Sequence, residues 1–144
     1  MDDCVLITKE EIQKILKTKP LNGKNSLEPF KSFALENHLP LSILEDNQVS
    51  NKVDLHRKDG DLWLCLEGDV DFVYGGKTVN EEDLKNPDGS VNSDELQAQS
   101  IRGGKKVTLK PGDWLWIPPG QPHQHSCSGI ARLIIIKIPA QNSL

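Results

Sequence analysis

Cysteine is scarce in this sequence, and the number of cysteines is odd. The 144 residues include three, Cys4, Cys65 and Cys127, and no Cys-x-x-Cys motif. A disulfide framework needs paired cysteines, so these three argue against a disulfide-rich secreted scaffold and for a reducing compartment. The first residues, Met-Asp-Asp, are acidic and lack the basic and apolar stretches of a signal peptide. We therefore expect a cytoplasmic protein.

Long hydrophobic runs and long basic runs are also missing. The longest apolar run, residues 130–138, is interrupted by Arg132 and Lys137, and it is much shorter than the roughly 20 residues that span a bilayer. The formal net charge is −4, and the sequence has no cluster of Lys and Arg to neutralise nucleic-acid phosphates. We expect neither a membrane nor a nucleic acid among the partners.

The composition is that of one soluble globular domain. A chain of 144 residues with 36% hydrophobic and 26% charged residues can bury one sizeable core. Near the N terminus, Thr8 and Glu11 have the spacing of a capping box, and apolar residues then recur at helical intervals. This pattern predicts a short amphipathic helix over residues 9–17.

After Pro29 the sequence changes to short apolar runs separated by turn residues, a pattern that predicts strands. The predicted strands are residues 30–35, 41–44, 61–67, 69–74, 107–109, 114–117 and 130–138. Many short strands joined by Gly and Pro turns indicate an all-β sandwich or closed barrel. We expect a barrel over residues 29–139, preceded by a helix and lead-in over 1–28 and followed by a tail over 140–144.

Residues 79–104 break this rhythm with polar, turn-rich sequence that includes Asn86-Pro87-Asp88-Gly89. We expect a surface insertion in the barrel, with a short helix near residues 94–99. Two interpretations stay open, an inert insertion and a lid over a pocket, because long loops in compact domains often carry function.

The most informative stretch is residues 112–127, Gly-Asp-Trp-Leu-Trp-Ile-Pro-Pro-Gly-Gln-Pro-His-Gln-His-Ser-Cys. Its aromatic-rich start suits a strand, and the Pro-Pro-Gly at residues 118–120 then forms a turn. After the turn, His123 and His125 stand at alternate positions, which places both imidazoles on one face of a strand. Two histidines presented on one face of a sheet indicate a metal site or an acid/base site.

The pattern Gly112-x5-Pro118-x-Gly120-x2-His123 resembles the second sequence motif of the cupin family. The family usually has Asn at the position that Cys127 occupies here. The Lys-Pro-Gly-Asp turn that leads into this pattern is also similar to cupin sequences. The resemblance covers residues 51–139 and leaves out the N-terminal helix and the insertion over residues 79–104.

A partial match to the first cupin motif lies upstream. In the family it is His-x-His, then Glu, then Gly, and here Asp54, His56, Asp61 and Gly68 stand at the corresponding spacing. Two identities depart from the family, because Asp54 replaces the first His and Asp61 replaces the Glu. Asp54 and His56 alternate on one strand, so both can face inward.

The resemblance implies a cupin-type jelly-roll β-barrel with a divalent metal inside. Carried over position by position, the metal ligands are Asp54, His56, Asp61 and His123. Two imidazoles and two carboxylates suit Fe, Mn, Ni or Zn rather than a soft thiolate metal. Two carboxylates without a cation repel each other, which favours a bound metal. The alternative is a barrel that has lost the metal and keeps polar residues in a wet pocket.

His125 shares the inward-facing positions with His123, and two roles stay open for it, a general base and a packing histidine. Cys65 and Cys127 also fall on inward-facing positions, where we expect buried, inert thiols.

For function, the resemblance implies a metal-dependent enzyme of oxygenase, isomerase or lyase type that acts on a small polar molecule in the barrel. The alternative is a non-catalytic small-ligand-binding or sensory barrel. The resemblance also implies a homodimer.

Overall fold

The computed structural model describes residues 3–141, of which 57% lie in strands and 11% in helices. Every strand pair in these residues is antiparallel, so the expected all-β class is confirmed. The helices are α1 (Lys9–Leu16) and α2 (Phe30–Glu36). The strands are β1 (Gly23–Ser26), β2 (Leu41–Ser50), β3 (Val53–His56), β4 (Asp59–Glu67), β5 (Val70–Tyr74), β6 (Lys77–Lys85), β7 (Val91–Arg102), β8 (Lys105–Leu109), β9 (Trp114–Ile117) and β10 (His123–Pro139).

Local sequence starts α1 where the capping pattern predicts it. The Glu11 amide donates to Thr8 Oγ1 at 3.2 Å, and the Thr8 amide donates to the Glu11 carboxylate at 2.9 Å. These bonds satisfy two amide groups that lack partners within the helix. The predicted helix is confirmed, and its buried residue Ile15 packs against the outside of the barrel.

The long strand β10 connects the two sides of the barrel. One of its edges pairs with β3 and β2, and the other edge pairs with β5 and β4. A bulge between Cys127 and Ile130 bends the strand. The strand predicted over residues 130–138 is therefore the second half of one strand that begins at His123 and passes the whole height of the barrel.

Two clusters of buried apolar residues lie on opposite sides of the sheet. The first lies inside the barrel and includes Trp63, Cys65, Phe72 and Leu133. The second lies under the two helices and is formed by Ile15, Leu27, Phe30, Ala34 and Ile43. The interior of the barrel is therefore packed with apolar side chains, and the helices cover a second apolar layer outside it.

The strand predicted over residues 30–35 is wrong, because these residues form α2. Phe30 and Ala34 are both buried and stand four residues apart, with Phe33 packed beside them. Positions i, i+3 and i+4 share one face of a helix, whereas in a strand Phe33 would point to the face opposite Phe30 and Ala34. The helical face covers the second core cluster, so packing against the barrel decides this segment.

The structure also differs from the short helix predicted near residues 94–99. These residues lie in β7, which pairs with β6 on one side and with β3 on the other. Leu96 and Ala98 are buried at alternate positions, as a strand requires. The polar segment extends the sheet and brings Glu95 opposite His56.

No helix in residues 3–141 is long and apolar enough to cross a membrane.

Candidate functional site

Three predicted ligands come together at one end of the barrel. His56 Nε2 lies 3.4 Å from Asp61 Oδ2, and His123 Nε2 lies 3.2 Å from the same oxygen. One ligand atom from each of the three residues lies within 4.8 Å of the other two. The three residues come from β3, β4 and β10, so the cluster exists only when the barrel has closed. We refer to it as the His/Asp cluster.

Strand register explains why these side chains converge. His123 on β10 stands opposite Asp54 on β3, and Asp61 on β4 stands opposite Lys137 on β10. Residues directly opposite each other in an antiparallel pair point to the same face of the sheet. By this rule His123 shares a face with Asp54, and Asp61 shares a face with Lys137; the contacts that His123 and Lys137 both make with Asp61 bring the two pairs together inside the barrel.

Both imidazoles of the cluster are held by their other ring nitrogen. His123 Nδ1 lies 3.0 Å from the carbonyl oxygen of Gln121, and His56 Nδ1 is hydrogen-bonded to the carboxylate of Glu95. A carbonyl or carboxylate oxygen only accepts, so each Nδ1 carries a proton and donates it. In the neutral ring the lone pair is therefore on Nε2, which is the tautomer of a metal-binding histidine, whereas a hydrogen bond from the same nitrogen to Asp61 requires a second proton on the ring.

The cluster also changes the pKa of its own groups. For Asp61, burial is the largest single influence and favours the protonated form, but hydrogen bonds from His123, His56 and Lys137 outweigh it and hold the pKa of the carboxyl far below its ordinary value. For His56, burial and the charge of Lys137 lower the pKa, whereas the contacts with Asp61 and Glu95 raise it above its ordinary value. Asp61 is thus an ionised carboxylate in the folded protein.

Lys137 is a fourth member of this environment. Its Nζ donates to Asp61 Oδ1 at 2.6 Å and lies 3.1 Å from His56 Nε2. An ammonium has no lone pair, so in the second contact Nζ donates to the Nε2 lone pair of the neutral His56 ring, which in that form donates no hydrogen bond to Asp61. Lys137 therefore neutralises the buried carboxylate and occupies one histidine nitrogen at the same time.

Asp54, the remaining predicted ligand, stays outside the cluster. It stands opposite Gln97 on β7 and accepts a hydrogen bond from Gln97 Nε2 at 3.1 Å. The repulsion expected between two ligand carboxylates does not arise among the described residues, because Asp54 has a neutral amide partner and Asp61 has the ammonium of Lys137.

His125 belongs to a separate hydrogen-bonded group, apart from the cluster. Its Nδ1 lies 2.7 Å from Asp46 Oδ2, and Asn51 Nδ2 lies within 3.2 Å of both side chains. The ring of His125 is packed between Trp63 and Phe72, with ring centroids 5.0 Å and 5.5 Å away. His125 therefore faces inward as predicted, but its partner is Asp46 and not the three residues of the cluster.

Two buried polar atoms beside His125 have no hydrogen-bond partner among the described residues. They are Asp46 Oδ1 and the indole nitrogen Trp63 Nε1. An unpaired buried polar group costs about 1–3 kcal/mol. The interior beside His125 thus holds one acceptor and one donor without a partner among the described residues.

The residues present fit a divalent metal. The distances of 3.2 Å and 3.4 Å from Asp61 to the two histidines match the roughly 3.0–3.5 Å between neighbouring ligands of a metal bound at about 2.1 Å. The acceptors on both Nδ1 atoms fix the rings and increase their basicity. Lys137 opposes metal binding, because its ammonium contacts Asp61 and His56, two of the residues that would bind the metal.

The cysteines take no part in the site. Cys65 and Cys127 are buried among apolar residues, and both are free thiols. Burial is the main cause that raises the pKa of each thiol above its ordinary value. A protonated, buried thiol is a weak nucleophile, so the expected inert character of both cysteines agrees with their surroundings.

A cleft of about 360 Å³ lies on strands that neighbour the cluster, and none of the three cluster residues is in its wall. Its walls include Tyr74, which stands opposite His123, and Ile117, which stands opposite Asp61. Lys105 and Gln121 provide polar groups in the same wall. A volume of this size is that of a small-molecule site.

Three residues of the site were missed by sequence reasoning. Glu95 lies where a helix was predicted, Lys137 was treated as an interruption of an apolar run, and Asp46 was assigned to no element. One signal was present for Lys137, since it alternates with Leu133 and Ile135 and therefore shares their inward face. For Glu95 and Asp46 the partners are distant in sequence, and no local pattern marks them.

No protein-family model matches the sequence. Among solved structures, the chain is similar to YcfD from Escherichia coli, with a TM-score of 0.53 and 22% identity over 81% of this chain and 31% of that one. It is also similar to EutQ from Clostridium difficile, with a TM-score of 0.49 and 19% identity over 83% of this chain and 70% of that one. The cupin domain of CENP-C from Drosophila melanogaster gives a TM-score of 0.47 and 13% identity over 68% of this chain and 59% of that one.

The chain thus spans about a third of the length of YcfD. Identities this low show likeness of fold. The fold is the cupin-like jelly roll that the sequence motifs predict.

Proposed function

We propose that this cupin-fold chain binds a divalent metal through His56, Asp61 and His123 and acts there on a small polar molecule. The observation that carries the proposal is the convergence of two histidine Nε2 atoms on one buried carboxylate oxygen. Such donors suit Fe(II), Mn(II), Ni(II) and Zn(II). When bound, the metal supplies Lewis-acid or dioxygen chemistry at the positions that three protein ligands leave open.

Oxygenase, isomerase and lyase reactions are all compatible with such a barrel, and the ligand set favours the first. Two histidines and one carboxylate form the facial triad that non-haem Fe(II) oxygenases use. YcfD is a ribosomal oxygenase, and this activity is a property of YcfD, not an observation on this chain. For this chain the support is its own triad of His56, Asp61 and His123.

A substrate reaches the cluster from one side. Asp61 and His123 are buried, whereas the side chains of His56, Glu95 and Lys137 are 15%, 27% and 40% exposed. These three groups present a charged and polar opening. The proposal of a small polar substrate rests on this opening.

We assign proton transfer to His125. Asp46 accepts a hydrogen bond from His125 Nδ1 and so holds the ring in one orientation. The other ring nitrogen, Nε2, is then the one that takes up or releases a proton. Asn51 contacts both members of the pair and fixes it further. Asp54 is left out of the proposed ligand set, because it would have to release Gln97 before it could turn to the cluster.

Metal content tests the proposal. Protein without a histidine tag is loaded with Fe(II) or Zn(II), desalted, and measured by mass spectrometry of the metal. We expect about one equivalent in the wild type and almost none in His56→Ala/His123→Ala. His38→Asn is the matched control, since His38 is exposed and Asn tolerates its positive φ of 52°. A wild-type content below about a tenth of an equivalent would overturn the proposal.

The contact between Lys137 and the cluster favours a second function, a ligand-binding or sensory barrel that needs no metal. Here the ammonium of Lys137 takes the place of the metal charge beside Asp61. To distinguish the two functions, the melting temperature is measured with each of a panel of small acids and polyols, in the presence and absence of a chelator. Stabilisation that survives the chelator supports the metal-free barrel.

The homodimer and the cytoplasmic location stay predictions. Light scattering on the eluted peak of a size-exclusion column measures the first of them directly.

A further inference from the structure

We infer that Lys137 is a built-in competitor of the metal, which weakens metal binding at the His/Asp cluster until its ammonium leaves. The inference concerns the same centre as the proposed function and rests on it. It adds a determinant that belongs to no ligand position of either sequence motif.

The contacts of Lys137 involve two of the three proposed ligands. Its Nζ lies 2.6 Å from Asp61 Oδ1 and 3.1 Å from His56 Nε2. The imidazole Nε2 has a single lone pair, so it cannot accept from an ammonium and bind a metal at once. Asp61 keeps Oδ2 for the histidines, but a nearby ammonium and a divalent cation repel each other strongly in a buried site. Metal binding therefore requires that Nζ moves away.

The position of Lys137 allows that movement. It stands directly opposite Asp61 on the neighbouring strand, and its side chain is 40% exposed. A lysine has a long flexible stem, so its ammonium can turn from the cluster into water without any change of the backbone. Lys137 therefore lowers the affinity for metal without closing the site to it.

Lys137 follows two apolar residues on its face of β10. Leu133 and Ile135 precede it at alternate positions and point into the barrel, and both belong to the interior apolar core or pack against it. The ammonium is placed beside the one buried carboxylate of the cluster. This placement gives the metal-free barrel its own charge balance, with Lys137 compensating Asp61.

The test compares the Zn²⁺ affinity of the wild type with that of Lys137→Met, measured by competition with a chromophoric chelator. Met keeps the length of the stem and removes the charge. A hydrogen bond to a charged group must be broken in the wild type but not in the variant, so we expect about tenfold to hundredfold tighter Zn²⁺ binding by the variant. Lys58→Met is the matched control, because Lys58 is exposed and pairs with Asp94 rather than with a residue of the cluster.

A second readout does not depend on affinity. Without metal, Lys137→Met leaves Asp61 without its ammonium partner, so its melting temperature should fall below that of the wild type, and saturating Zn²⁺ should remove most of the difference. Lys137→Gln serves the same comparison if the Met variant does not fold. His56→Ala/His123→Ala in the Lys137→Met background must abolish the tight binding.

The outcomes separate this inference from the proposed function. Equal or weaker Zn²⁺ binding by Lys137→Met overturns the inference, while wild-type binding that depends on His56 and His123 leaves the proposed function intact. Binding by the variant alone supports the inference and overturns the metal-dependent function of the wild type. Absence of binding in both proteins overturns both.

Discussion

Asp46 and His125 form a hydrogen-bonded pair inside the barrel, with Oδ2 2.7 Å from Nδ1 and with 0% and 2% of their side chains exposed. The two residues are separated by 79 positions in sequence, and β2 and β10 bring them together. Because the pair is deeply buried, Asp46 holds the ring of His125 in one orientation inside the barrel.

Replacing Asp46 with Ala should lower the free energy of unfolding by about 3 kcal/mol, because it leaves buried polar groups of His125 and Asn51 without their partner. Urea unfolding measures the loss. Asp94→Ala is the control, since Asp94 pairs with the exposed Lys58 at 3.0 Å and such pairs contribute at most about 1 kcal/mol. Equal losses in the two variants would contradict a structural role for the buried pair.

Glu95 should act on the metal through His56. Its carboxylate accepts from His56 Nδ1, and an amide in its place would still accept but would make the ring less basic. Glu95→Gln should therefore weaken Zn²⁺ binding about tenfold. The measurement is the same chelator competition, with the exposed Glu82→Gln as control. Unchanged affinity in Glu95→Gln would show that Glu95 does not orient a metal ligand.

Arg132 should determine how firmly α1 is attached to the barrel. Its guanidinium is buried and donates to Glu45 Oε2 at 2.7 Å, to the Leu16 carbonyl at 2.6 Å and to the Thr18 carbonyl at 2.7 Å. Arg132→Met should cost about 3 kcal/mol, since it leaves the Glu45 carboxylate buried and unpaired.

Hydrogen exchange locates this effect. The amides of residues 9–16 should exchange faster in Arg132→Met, whereas the exposed Arg102→Met should leave them unchanged. Equal exchange of these amides in the two variants would argue against a role of Arg132 in holding the helix.

Gly68 should tolerate no side chain. A Cβ at this position would lie 2.0 Å from the backbone oxygen of Ile130, whereas a Cβ at Gly89 would meet nothing within 4 Å. Both glycines have positive φ, 73° and 86°, so the strain of placing Ala in that region affects both variants alike, by about 1 kcal/mol. The further loss in Gly68→Ala, about 1–3 kcal/mol, reports the close approach of the two backbones.

Thermal and urea unfolding of both glycine variants give this difference. Comparable stability of Gly68→Ala and Gly89→Ala would mean that the bulge of β10 can shift to make room.

Much of the fold follows from short stretches of sequence. The capping residues Thr8 and Glu11 start α1 by themselves, because their hydrogen bonds join atoms three residues apart. The alternation of His123 and His125 places both on the inward face for the same local reason. The motif from Gly112 to His123 was enough to predict the cupin-like barrel and one member of the cluster.

Tertiary structure decided the rest. Residues 30–36 became a helix and residues 91–102 a strand, because the surfaces against which they pack lie elsewhere in the chain. The sequence places Asp54, His56, Asp61 and His123 at motif spacing, but only strand register shows that Asp54 turns to Gln97 while Lys137 turns to Asp61. Local sequence determines which face of a strand a side chain occupies, whereas its partner on that face depends on which distant strand lies beside it.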